Sequence, residues 1–253
     1  MGKKIAFIPI VLMLILMSGC TTEDAESVVC VGSEQVAMEE VTKSEIIIEG
    51  VDGEENHYVY DMILSEIVTA LQSGPHTVEN NEYFTMGICE VAILGEKAED
   101  RVKSISYAFY DINTDGINEL IITKTPDAMY PDMRILDIYT IEDGSAVNLV
   151  SGYVRNRYYL LDDNTLLNSG SGGAAYSFNE LLVFQAGTNK LVSQGLFFSY
   201  PKDEDMRECG YYYSEDGIYD VEVATEITAE EYGVFYDEFQ SRMVMLELAL
   251  IES

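Results

Sequence analysis

Residues 104–123 read Ser104-Ile105-Ser106-Tyr107-Ala108-Phe109-Tyr110-Asp111-Ile112-Asn113-Thr114-Asp115-Gly116-Ile117-Asn118-Glu119-Leu120-Ile121-Ile122-Thr123. Ile105, Tyr107 and Phe109 alternate with Ser104, Ser106 and Ala108, the period-two pattern of a strand with one buried face. Leu120 to Thr123 is a second apolar, β-branched run. Between them stand polar residues and a glycine, so the stretch is strand, loop, strand. It predicts that the middle of the chain is an antiparallel sheet.

Downstream, the pattern repeats. Arg134 to Ile141 and Ser145 to Val150 flank Asp143-Gly144, a pair that tolerates positive φ and closes tight hairpins. Similar pairs surround Asp163-Asn164, Thr188-Asn189 and Asp216-Gly217, which extends the expectation to a β-meander. Upstream, Tyr60, Ile63, Leu64, Ile67, Val68 and Leu71 recur at helical spacing and Ser73-Gly74-Pro75 ends the run, so residues 57–72 are expected to form an amphipathic helix. Residues 76–103 are ambiguous, and Phe84 to Leu94 fits a strand or a helix. At the far end, Thr228 and Glu231 form a capping box. Tyr232, Phe235, Phe239, Met243, Leu246 and Leu250 then make one apolar stripe, expected to be a helix covering the sheet. The fold class is therefore α+β: an antiparallel β-meander sheet packed by an N-terminal and a C-terminal helix.

The loop inside the opening stretch carries chemistry. Asp111, Asn113 and Asp115 place side-chain oxygens at positions one, three and five, and Gly116 at position six permits a sharp turn. The carbonyl of Ile117 and the carboxylate of Glu119, directly or through water, complete an oxygen set of the kind that calcium requires. Three acids within nine residues repel one another unless a cation is present. The plain alternative is an acidic loop held by Asp and Asn bonding to nearby amides. The residues favour calcium in a structural role, of the weak affinity typical of extracellular modules, on the order of 10⁻⁴ to 10⁻³ M.

The loop resembles the first nine positions of an EF-hand, but position twelve is Ile122 rather than the bidentate Glu. With strands at its flanks it is closer to the calcium loops between strands of integrin-type propeller repeats; only one copy is present, so a propeller does not follow. Tyr107 to Ile122 as a whole resembles a phrase common in uncharacterised bacterial lipoproteins and secreted proteins, where it follows an N-terminal helix and precedes a tyrosine-rich sheet. That resemblance implies a layout over residues 57–250 and no particular activity.

The start of the chain agrees with such a setting. Lys3 and Lys4 precede an apolar run from Ile5 to Met17 and then Ser18-Gly19-Cys20, the order of a signal peptide. Residues 1–19 are expected to be removed as a lipoprotein signal peptide. Cys20 after Ser-Gly resembles a lipobox, which implies lipidation of its thiol and a place on the outer face of the bacterial cytoplasmic membrane. Residues 20–56 hold eleven acids from Thr21 onward against the single Lys43, so they read as an acidic, self-repelling tether in which 46–48 could be an edge strand. Residues 57–253 are then expected to be one α+β domain.

Composition narrows the partners. The formal net charge is −31, with 14 basic and 45 acidic residues. Such a surface repels phosphates, so no nucleic-acid partner is expected and membrane contact is through the lipid anchor only. With 47% hydrophobic residues, 18 Tyr and 9 Phe, the chain can bury a sizeable core. Once Cys20 is assigned to lipid, Cys30, Cys89 and Cys209 remain, and a Cys89–Cys209 bridge is the simplest expectation. There is no CxxC, HExxH or GxSxG, and Gly170-Ser171-Gly172-Gly173 lacks the Lys-Ser or Lys-Thr of a P-loop. That glycine run is expected to be a hairpin or a loop bordering a pocket. His57 and His76 are the only histidines and are expected to face solvent. No catalytic residue is singled out. The expected role is non-catalytic binding or scaffolding, with a paired-carboxylate glycan hydrolase or a protein-interaction module as alternatives.

Overall fold

The computed structural model describes residues 54–74, 83–185 and 188–251. Residues 1–19, where a signal peptide is expected, and Cys20, Cys30, residues 46–48 and His76 lie outside them. The first helix, α1 (Glu54–Ser73), buries all six residues of its predicted stripe. It stops at Gly74, and its last carbonyls are taken by Arg101. That guanidinium donates from Nε to the Leu71 carbonyl at 2.6 Å and from Nη2 to the Gln72 carbonyl at 3.2 Å. A cation at a helix C-terminus satisfies both the exposed acceptors and the dipole. Arg101 belongs to α3 (Ala98–Lys103), which follows α2 (Met86–Leu94).

The ambiguous stretch is therefore helical. Ile88, Cys89, Val91 and Ala92 of α2 are all buried. Gly87 permits the approach, because a Cβ there would stand 2.2 Å from the Gly152 carbonyl oxygen.

Among the described residues, eleven antiparallel strands form one sheet: β1 (Ile105–Tyr110), β2 (Glu119–Lys124), β3 (Ile135–Glu142), β4 (Ser145–Ser151), β5 (Asn156–Leu160), β6 (Leu166–Gly173), β7 (Tyr176–Phe184), β8 (Leu191–Pro201), β9 (Cys209–Ser214), β10 (Thr225–Ile227) and β11 (Ala249–Leu250). The order is β10-β9-β8-β7-β6-β5-β3-β2-β1-β11, with β4 paired beside β5 on β3. The fold is α+β. The Asp143-Gly144 hairpin forms with both residues at positive φ, 49° and 76°, as a type I′ turn needs. Asn164, at φ 62°, turns β5 into β6, and Thr188-Asn189 joins β7 to β8. Asp216-Gly217 also lies between antiparallel partners, β9 and β10, but within a long connection rather than a tight turn. Residues 215–224 form a long loop before β10.

Two further expectations are corrected. The C-terminal helix α4 (Ala229–Arg242) begins with the expected capping box but ends well before Leu250. Arg242 is anchored by Asp162 and Asp163, and Met243 pairs with Leu161, so the chain leaves the helix to bond the strand beside it. Tyr232, Phe235 and Phe239 stay on the helix, while Leu246 packs from the tail and Leu250 is half exposed in β11. The Cys89–Cys209 bridge does not form: Cys209 is free and exposed, and Cys89 is disulfide-bonded elsewhere. Cys209 opens β9, whereas α2 packs on β3, with β5 to β8 between them; strands lie about 4.8 Å apart, so the separation exceeds what a disulfide spans. Among the described residues no helix is long and apolar enough to cross a membrane.

β3 contains an acid within an apolar run. Asp137 has no exposed surface and accepts hydrogen bonds from Thr85 Oγ1 and Ser151 Oγ, both at 2.6 Å, and from Asn148 Nδ2 at 3.1 Å. Thr85 precedes α2, so this carboxylate fastens the helix to the sheet. Burial outweighs the three donors and raises its pKa to about 7. The folded state then holds a proton that the unfolded chain releases near 3.8, so stability from this group falls as pH rises from about 4 to about 7. Asp137→Asn, whose amide can still meet all three partners, is expected to flatten that decline. Above neutrality it is expected to be more stable than the wild type. Denaturant unfolding at a series of pH values checks this; a slope as steep as the wild type's contradicts it.

Candidate metal centre

The 111–119 loop leaves β1 and enters β2, which pair from Ile105↔Lys124 to Tyr110↔Glu119. Thr114 and Gly116 take positive φ, 58° and 90°, and curl the chain back over itself. Successive amides then point at the predicted oxygen ligands. The Asp115 N–H donates to Asp111 Oδ1 at 3.1 Å and to Asn113 Oδ1 at 3.0 Å. Gly116 N–H donates to Asp111 Oδ2 at 3.0 Å, and Ile117 N–H to Asp115 Oδ1 at 2.8 Å. The side chains at positions one, three and five are thus brought together and aimed by their own backbone. Each carboxylate oxygen that accepts one amide keeps a further lone pair.

Glu119 lies apart from that group. It is fully buried at the start of β2, where Oε2 accepts from the Ile112 N–H at 2.9 Å and Oε1 from the Thr140 hydroxyl at 3.1 Å. Burial raises its pKa to about 7, and the charges of Asp115 and Asp111 act in the same direction against its two hydrogen bonds. Tyr60 of α1 donates to the Asn118 carbonyl at 2.9 Å, and its phenol is pushed up by burial and by Glu119. Among the described residues, no group of three or more His, Cys, Asp or Glu side chains is gathered as an ion site. In the loop, Asp111 and Asp115 are the two outward carboxylates, Asn113 and the Ile117 carbonyl are neutral oxygens, and Glu119 is turned inward.

The surroundings add residues that sequence spacing did not reveal. Asn113 Nδ2 donates to Asp115 Oδ2 at 3.0 Å and to Asn189 Oδ1 at 2.9 Å, and Asn189 Nδ2 donates to Glu142 Oε1 at 2.7 Å. Tyr110 donates to Asn164 Oδ1 at 2.7 Å. Turns from four hairpins therefore converge on one corner, although they are far apart in the chain. The local sign of this in the sequence is that Asn164 and Asn189 stand in turn dipeptides. His57 falls within α1. Gly170 to Gly173 end β6, and Gly172 borders a groove whose lining includes one carboxylate, Glu180, rather than a facing pair. No family model, curated protein or solved structure matches this chain, so its chemistry is read from its own residues.

The backbone of the loop can be tested separately from any ion. A Cβ on Gly116 would meet nothing within 4 Å, so only its φ of 90° resists substitution. Gly116→Ala is expected to cost about 1–2 kcal/mol. Chemical denaturation measures it, and a neutral effect would mean that the turn relaxes to another conformation.

Proposed function

We propose that this is a lipid-anchored, extracytoplasmic protein of non-catalytic binding or scaffold type, whose 111–119 loop holds one structural calcium ion. The observation that carries the reading is the convergence of Asp111, Asn113 and Asp115 oxygens over three consecutive amides of one turn. Hard cations take six to eight oxygens, and this loop offers the side chains of Asp111, Asn113 and Asp115, the Ile117 carbonyl and room for water. Glu119, held on the inner side of the loop by Ile112 and Thr140, lies beneath this oxygen set rather than in it and fixes the mouth of the loop. The ion neutralises the Asp111–Asp115 repulsion and fixes the corner where the hairpins meet. The anchor reading rests on Lys3-Lys4, the apolar run and Ser18-Gly19-Cys20.

Calcium is expected to raise the melting temperature of the wild type, saturating in the range of about 10⁻⁴ to 10⁻³ M, and a hundredfold excess over the dissociation constant adds about 2.7 kcal/mol. Asp115→Asn should lose most of that increment while folding normally without calcium. No heat of binding and an unchanged melting temperature would sink the metal assignment. For the anchor, Cys20→Ser is expected to move the protein from the membrane fraction to the soluble one, because two acyl chains suffice for stable attachment. Retention in the membrane fraction would contradict it.

A further inference from the structure

Phe197 and Tyr213 face α4, where Phe197 meets Phe235 and Phe239 at ring-centroid distances of 4.3 and 5.6 Å. Side chains alternate along a strand, so Leu196 and Phe198 belong to the opposite face. On β7, Phe178 and Glu180 pair with Phe198 and Leu196 and share that face. There, the 215–224 loop lays Tyr219 over Phe198, with centroids 4.4 Å apart, and the Tyr219 hydroxyl donates to the Ser199 carbonyl at 3.0 Å. Between the loop and the strands is a groove of about 590 Å³. Tyr176, Phe178, Leu196 and Tyr219 line it, and Gly172 and Gly217 leave its margins without side chains.

Glu180 is the one charged side chain in this lining. It is half-buried and has no ion-pair partner among the described residues. Gly217 presses against it: at φ 70°, a Cβ would stand 2.3 Å from Ser193 Oγ and 3.2 Å from Glu180 Oε1. The volume is that of a small-molecule site, most of the wall is carbon, and a single acid stands among aromatic rings.

We propose that this groove binds a small organic cation, an amine or quaternary ammonium group on an apolar body. The carboxylate supplies the counter-charge, and the aromatic side chains attract a cation through their ring quadrupoles. Burial pushes the Glu180 carboxyl up, so a cation beside it relieves an existing cost. The net charge of −31 steers cations inward and anions away. A sugar would need hydrogen bonds to many hydroxyls, and the Tyr219 hydroxyl is already engaged.

The test titrates the purified full chain with benzyltrimethylammonium, using benzyl alcohol and benzoate as neutral and anionic controls. Ionic strength of about 0.15 M screens general surface attraction. With 18 Tyr and no Trp, intrinsic tyrosine fluorescence and calorimetry both report binding. Saturable binding of the cation is expected, weakened about tenfold in Glu180→Gln and unchanged in Glu99→Gln, an exposed acid on α3. Lowering the pH until Glu180 is protonated should weaken wild-type binding as well. Equal binding of cation and alcohol, equal loss in both variants, or no saturation would each overturn the proposal.

Discussion

Glu119 is the constraint on which the rest of this structure depends. A carboxylate with no exposed surface is costly to bury, and here it is retained by one amide from the loop and one hydroxyl from β3. Those bonds pin the mouth of the 111–119 loop to the sheet. Tyr60 adds a third tie, from α1 to the Asn118 carbonyl. With its mouth held, the loop must accommodate the turn at Thr114 and Gly116, and that turn directs three amides at Asp111, Asn113 and Asp115. The oxygen cluster is therefore a consequence of how β1, β2, β3 and α1 pack. A cation there would act back on the same framework through Glu119.

The sheet has two unlike ends. Around β1 to β3, the helices and the C-terminal tail supply apolar cover, and Leu120, Ile121 and Ile122 are buried without interruption. Around β7 to β9, α4 covers one face while a single loop crosses the other. The first end is packed on both faces and holds the calcium candidate. The second leaves concave aromatic surface with one acid in it. The β7–β8 turn connects them, because Asn189 bonds Asn113 from the far side of the sheet.

Much of this was legible because local pattern and tertiary burial agree. The helical stripe from Tyr60 to Leu71, the alternation from Ile105 to Phe109, the Asp143-Gly144 turn and the Thr228–Glu231 box each report a local preference that the fold keeps. The α2 helix was hidden because it is apolar on nearly every side, and such a segment has no period to read. The end of α4 was hidden for a different reason: its stripe continues past Arg242, but pairing of Met243 with Leu161 and the anchoring of Arg242 prevail over local helix preference. Asp137 could have been noticed, since an acid between Leu136 and Ile138 is a buried polar group waiting for donors. The loop ligands were legible from spacing. Thr140, Glu142 and Asn189 were not, because only the meander brings them to that corner. The groove joins residues from Gly172 to Tyr219, and of these only the glycine run hinted at a pocket.

The most direct measurement is an anomalous difference map from crystals of the protein grown with calcium. A single peak among the oxygens of Asp111, Asn113, Asp115 and the Ile117 carbonyl is the expected result. A well-ordered loop with only water between those oxygens would contradict the account.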